Sequence, residues 1–119
     1  MVEAERTVMQ VTYGMERTVG LVQINNSFSG QNYFPLSVGM LQAYAEKHLG
    51  EASRYAFLRP IYSRMNVEEA VERLSKADIV GFSTYMWNFN ISLAIAKKLS
   101  AKILTFDNDF RGVAEAIVL

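Results

Sequence analysis

Cysteine is missing from all 119 residues, which excludes disulfides, thiolate-held metals and cysteine-ligated iron-sulfur clusters. Any chemistry here runs without sulfur ligands. An excess of either charge is also missing: 12 basic and 12 acidic side chains are mixed along the chain and cancel. No basic stripe exists to neutralise a phosphate backbone, so nucleic acid is not expected as a partner. Long hydrophobic runs are absent too. None approaches the roughly 18 residues that would cross a bilayer, and residues 1 to 17 carry charges where a secretory segment would be apolar. The expectation is a cytoplasmic chain with no membrane partner. There is no glycine-rich phosphate cradle of the Walker or dinucleotide type, because the first candidate loop has one glycine and no following lysine.

What is present is enough apolar side chain, 50% of residues, to bury the core of one α/β domain. Residues 1 to 18 read as a leader or an extra edge strand, in which Glu5-Arg6-Thr7-Val8 is echoed by Glu16-Arg17-Thr18-Val19, and residues 19 to 119 as the domain. Val19-Gly-Leu-Val-Gln-Ile24 has the branched, near-continuous character of a strand buried on both faces. Pro35 then suits a first helical turn. A helix is expected from Leu36 to about Leu49, with Val38, Leu41, Ala45 and Leu49 as its core stripe and Gly50 as its cap. Tyr55 to Leu58 form a second strand. Asn66 and Glu69 have capping-box spacing ahead of a helix whose buried stripe is Val67, Ala70, Val71 and Leu74. Asp78 to Thr84 return to strand. Asn88 or Asn90 caps a third helix, with Ile91, Ala94, Ile95 and Leu99 inward and Lys97 and Lys98 outward. Ile103 to Phe106 and Ala116 to Leu119 are further strands, with a turn and short helix at Asp107 to Val113 between them.

Strict alternation of strand and helix predicts a parallel sheet covered on both faces. Ligands of such sheets gather at the carboxyl ends of the strands, near the switch in strand order. Two loops are selected by that rule, Asn25 to Pro35 and Ser83 to Asn90. The second places Tyr85, Met86, Trp87 and Phe89 where a strand gives way to solvent, and the first places Phe28, Tyr33 and Phe34 among Asn25, Asn26, Ser27, Ser29, Gln31 and Asn32. Large rings in a loop lie against a neighbouring loop, a partner chain or a flat ligand. Neutral hydrogen-bonding groups among aromatics suit an uncharged, amide-bearing ligand better than a nucleoside triphosphate. His48, beside Lys47 at the end of the first helix, is explained by the helix dipole without a metal. Glu68, Glu69, Glu72 and Arg73 have the spacing of a solvated helix face.

Asn25-Asn26-Ser27, Tyr33-Phe34-Pro35-Leu36-Ser37-Val38-Gly39 and above all Ala77-Asp78-Ile79-Val80-Gly81-Phe82-Ser83-Thr84-Tyr85-Met86-Trp87-Asn88 carry a resemblance. The stretch from Val19 to about Leu99 resembles the amino-terminal cobalamin-binding domain of cobalamin-dependent radical S-adenosylmethionine enzymes. The resemblance implies a flavodoxin-like three-layer fold, here truncated, with a parallel sheet of four to five strands that presents its strand-end loops to a corrin. It implies cobalamin as the cofactor and Asn25, Ser27, Gly30, Tyr33, Ser83, Tyr85 and Trp87 as the residues that bind it. Ser83 stands where the broader cobalamin family has the serine of its Ser-x-Leu motif, which meets the lower nucleotide base, and Tyr85 stands in the leucine position. The Asp-x-His-x-x-Gly motif maps onto Asn25, Ser27 and Gly30, so no imidazole ligates cobalt from this loop. The Gly-Gly pair of the family is replaced by Thr105-Phe106-Asp107-Asn108-Asp109.

With no catalytic residues assigned, the chain is expected to be a binding module that is non-catalytic alone and partners a separate radical enzyme domain. A rival reading is an interaction protein that takes no small ligand and forms a homodimer across an open sheet edge. A third comes from the tail, Ile103 to Leu119, which weakly resembles the end of PIN-domain nucleases, with Asp107 and Asp109 at the metal-holding positions. The earlier acidic residues such a site needs are not found after the first strand, so that acidic pair reads as a turn.

Overall fold

The computed structural model describes residues 16–49, 54–101, 103–105, 111–113 and 116–118. In chain order its elements are β1 (Arg17–Val22), β2 (Ser27–Phe28), β3 (Gln31–Asn32), α1 (Leu36–His48), β4 (Tyr55–Phe57), α2 (Val67–Leu74), β5 (Ile79–Phe82), α3 (Phe89–Lys98), β6 (Ile103–Thr105) and β7 (Ala116–Val118). β1 takes in Arg17 and Thr18 and lies at the centre of a three-stranded parallel sheet ordered β4-β1-β5. Counting only the strands of this sheet, that order is 2-1-3, with which a flavodoxin-like sheet begins. The ladder extends past β4. Ile61 donates to the Leu21 carbonyl at 3.0 Å, and Gln23 donates to the Ile61 carbonyl at 2.9 Å. β6 and β7 pair with each other in parallel. Among the described residues, their ladder stays separate from the main sheet.

Alternation along β1 divides the core between the two sheet faces. Val22 and Ile24 point to the side covered by α2 and α3, where they pack with Ile61, Ala70, Leu74 and Ile95. Burying each of the larger of these side chains contributes about 2 kcal/mol. Val19 and Leu21 point the other way and meet Val38 of α1 and Phe57 of β4. At Gly20 a side chain would run into Leu74, so the absent Cβ is what lets α2 lie close to β1. At the amino-terminal edge, Thr18 donates its amide to the Asp78 carboxylate and accepts from the Asp78 amide, both at 2.8 Å.

α2 and α3 follow the predicted pattern. The Asn66 side chain accepts from the Glu69 amide at 2.8 Å, while the Glu69 carboxylate pairs with Arg73 instead of reaching back. In α3, Ile95 is buried, and so are Ser92 and Ala96, which the expected stripe omitted. α1 departs from expectation. Of the expected stripe Val38, Leu41, Ala45 and Leu49, only Val38 is buried, and Leu41 is 57% exposed. Leu36, Met40 and Tyr44 are exposed as well, so apolar side chains on this helix do not by themselves mark a buried face. The helix meets the sheet chiefly through its first turn. No helix of the described residues is long and apolar enough to cross a membrane.

Candidate functional site

Because the main sheet is parallel, the segments following β1, β4 and β5 leave it at one rim. The segment after β1 turns out to hold a small hairpin. β2 and β3 are antiparallel, and the two residues between them, Ser29 and Gly30, have φ of 51° and 77°. Positive φ at both central positions is the geometry of the tight hairpin turn that matches strand twist. Gly30 meets that requirement freely, whereas Ser29 does so at a cost of about 1 kcal/mol. At the base of the hairpin the Asn25 side-chain amide donates to the Tyr33 carbonyl at 3.4 Å, and the Asn25 amide donates to the Tyr62 carbonyl at 3.1 Å.

α1 then begins at the rim with Pro35 as its N-cap residue, a side chain that cannot accept a bond. The vacancy is filled from the sheet. The buried Gln23, just past β1, accepts the Val38 amide on its Oε1 at 3.2 Å and so caps α1 from a distance. Next to that first turn, Ser37 Oγ and the Tyr85 hydroxyl are 2.9 Å apart, tying the start of α1 to the segment after β5. The hydroxyls of Ser37 and then of Ser83 stabilise the phenolate form and hold the Tyr85 phenol below its ordinary value of 10.0.

Asn88 holds the segment after β5 in shape. Its side chain is fully buried. Oδ1 accepts from the Tyr85 amide at 2.7 Å, and Nδ2 donates to the carbonyls of Ile24 and Ser83, both at 3.0 Å. Asn88 does occupy the N-cap position of α3, but its side chain makes no capping bond. The expected capping role is thus replaced by a bridge from the end of β1 to the turn after β5. Within that turn the Tyr85 and Trp87 rings stack with centroids 4.6 Å apart and planes 3° from parallel. Trp87 is 47% exposed, Met86 between them 94%, and Phe34 across the rim 74%.

Of the seven residues predicted to bind a cofactor, Asn25, Tyr33, Ser83, Tyr85 and Trp87 lie on the segments joined by these bonds. Ser27 and Gly30 sit further out, in the hairpin. Sequence reasoning missed Gln23, Ser37 and Arg64. Arg64 lies in the segment after β4 and donates to Asn26 Oδ1 from Nε at 3.3 Å and from Nη2 at 3.0 Å, and from Nη2 to the Trp87 carbonyl at 2.7 Å. The rule that selected the other two segments applies to this one as well, and Arg64 could have been found by it. His48 stacks on Tyr44 at the far end of α1, about 18 Å along the helix from Leu36 at 1.5 Å per residue. Among the described residues no group of three or more His, Asp or Glu side chains could hold a metal. Asp107 and Asp109 lie outside the described residues.

Comparison with known proteins gives partial matches. The chain is 32% identical over 65 residues, 55% of its length, to the cobalamin-dependent radical SAM methyltransferase TokK of Streptomyces tokunonensis. It is 31% identical over 65 residues to the 2-(S-pantetheinyl)-carbapenam-3-carboxylate methyltransferase of Streptantibioticus cattleyicolor. The chain is therefore similar to a segment of such enzymes. In each case the match covers about 10% of the relative. No family model matches the chain.

The residues at the rim fit a corrinoid in chemical character. Exposed rings line one edge of a switch point, and the hydrogen-bonding groups among them are amides and hydroxyls, which suit the amide-bearing rim of a corrin. The one histidine of the sequence, His48, stacks on Tyr44 at the far end of α1 from this rim.

Proposed function

We propose that this chain is a cobalamin-binding module in which the segments after β1 and β5 hold the corrin and which does not catalyse a reaction alone. The observation that carries the reading is the parallel Tyr85–Trp87 stack in the segment after β5, on the rim that also carries the exposed Tyr33 and Phe34 of the segment after β1. A flat pair of rings in which Trp87 stays 47% exposed is suited to a large planar ligand. Partial similarity to a cobalamin-dependent methyltransferase supports the same ligand. Tyr85 and Trp87 offer the apolar surface, Asn25 and Tyr33 anchor the base of the hairpin, and Ser83 presents a hydroxyl beside Tyr85. Ser27 and Gly30 lie in the hairpin of the segment after β1. Cobalamin, when bound, supplies a metal centre for group transfer, and a separate radical enzyme domain supplies the remaining chemistry. The chain's own residues orient the corrin and keep water from its covered face.

Gel filtration with hydroxocobalamin tests the reading. Visible absorbance eluting with the protein is expected, and it should fall in Trp87→Ala. Protein that elutes colourless at high concentration would reject the ligand.

A second reading, a homodimer in the cytoplasm, is favoured by the exposed apolar residues of α1 and by the outer edges of β4 and β5, which have no ladder partner among the described residues. Two copies that pair through either feature would bury it. Sedimentation at tens of micromolar should give a dimer, and a stable monomer would remove this reading.

A further inference from the structure

We infer that Arg64 is a positioning residue which clamps the segment after β1 to the segment after β5 and thereby sets the plane of the Tyr85–Trp87 stack. Its consequence for the ligand rests on the corrinoid reading above, but the clamp itself does not. Three observations carry it. Arg64 leaves the sheet from the edge strand β4, on the same rim as both other segments. Its guanidinium donates twice to Asn26 Oδ1, from Nε and Nη2, and the same Nη2 reaches the Trp87 carbonyl at 2.7 Å. One rigid planar group therefore spans Asn26 and Trp87, which are 61 positions apart in sequence, using the fork geometry that lysine lacks.

The geometry makes the contact more than a surface ornament. Tyr85 is already fixed from three directions, by Ser37 through its hydroxyl, by Asn88 through its amide and by Trp87 through its ring. Trp87 stacks on the Tyr85 ring, and its carbonyl accepts from Arg64. Removing the guanidinium frees the peptide that carries the indole, while the core beneath, centred on Ile24 and Ile95, is untouched. Loops carry binding groups well only where a scaffold fixes them.

The sequence has one tryptophan, so intrinsic fluorescence reads Trp87 directly and needs no ligand. In Arg64→Met, which keeps the apolar stem, Trp87 emission should move to longer wavelength and be quenched more by acrylamide, with the far-ultraviolet circular dichroism unchanged. Asn26→Ala should move both in the same direction by less, and the double variant should go no further than Arg64→Met alone. Hydroxocobalamin binding should weaken about 10-fold in Arg64→Met, the effect of losing one charge-assisted hydrogen bond, with partial recovery in Arg64→Lys. Unchanged emission and quenching in a folded Arg64→Met overturns the clamp, and should that variant not fold, unchanged values in Asn26→Ala do the same. If the wild-type chain takes up no hydroxocobalamin while the fluorescence shift is present, the corrinoid reading fails and the clamp stands.

Discussion

Asn88 shows how one residue can decide the shape of a segment at the sheet rim. A buried amide with three partners is worth keeping because each partner left alone would be a desolvated backbone group. Asn88→Ala should lower stability by about 3 kcal/mol in urea unfolding, since it strands the Ile24 and Ser83 carbonyls and the Tyr85 amide. A loss under about 0.5 kcal/mol would show that water or neighbours replace the side chain at no cost. Tyr85 gives a second test at this scale. Its hydrogen bonds lower the phenol pKa, so its phenolate forms below pH 10.0 and favours the folded chain only as pH rises past that folded-state value. That stability is present above the ordinary value of 10.0 and is lost as pH falls through the lowered folded-state value. Ser37→Ala should raise the Tyr85 phenol toward 10.0 in an NMR titration of labelled tyrosine. The bridging role of Asn88 is not legible in the sequence, because an asparagine ahead of a helix looks the same whether it caps or bridges.

At the scale of elements, helix ends offer the sharpest predictions. α3 ends in a two-bond cap in which Ala101 donates to the Ala96 carbonyl at 3.1 Å and Ser100 to that of Lys97 at 3.0 Å. Ser100, with φ of 53°, occupies the left-handed position where glycine is preferred. Ser100→Gly should therefore stabilise the chain by about 0.5–1 kcal/mol in urea unfolding, and destabilisation would contradict the assigned cap. At the other end of the fold, Gln23→Ala removes the remote cap of α1 and should cost about 1 kcal/mol in the same assay.

Strands and helices were legible where periodicity and caps agreed, as for β1, β5, α2 and α3. The β2–β3 hairpin was hidden because its turn is Ser29-Gly30 instead of the stronger Asn-Gly signal. The exposure of Leu41 and Leu49 was hidden for another reason. Spacing marks which residues of α1 share a face, but not whether anything lies against that face.

Across the whole molecule, the order β4-β1-β5 brings three carboxyl-end segments to one rim, the place where ligands of parallel sheets gather. The pairing of the first and third segments was foreseeable from strict strand-helix alternation. How they are joined, through Asn88, Ser37 and Arg64, was not, because contacts between residues 23 to 64 positions apart leave no mark on local pattern. At the opposite edge Thr18 and Asp78 exchange hydrogen bonds. An amide and side-chain NMR titration of the chain with hydroxocobalamin compares the two edges directly. Shifts concentrated at Tyr33, Tyr85 and Trp87, with Thr18, Ala56 and Asp78 unmoved, are the predicted result; shifts confined to the Thr18–Asp78 edge, or none anywhere at saturating ligand, would contradict it.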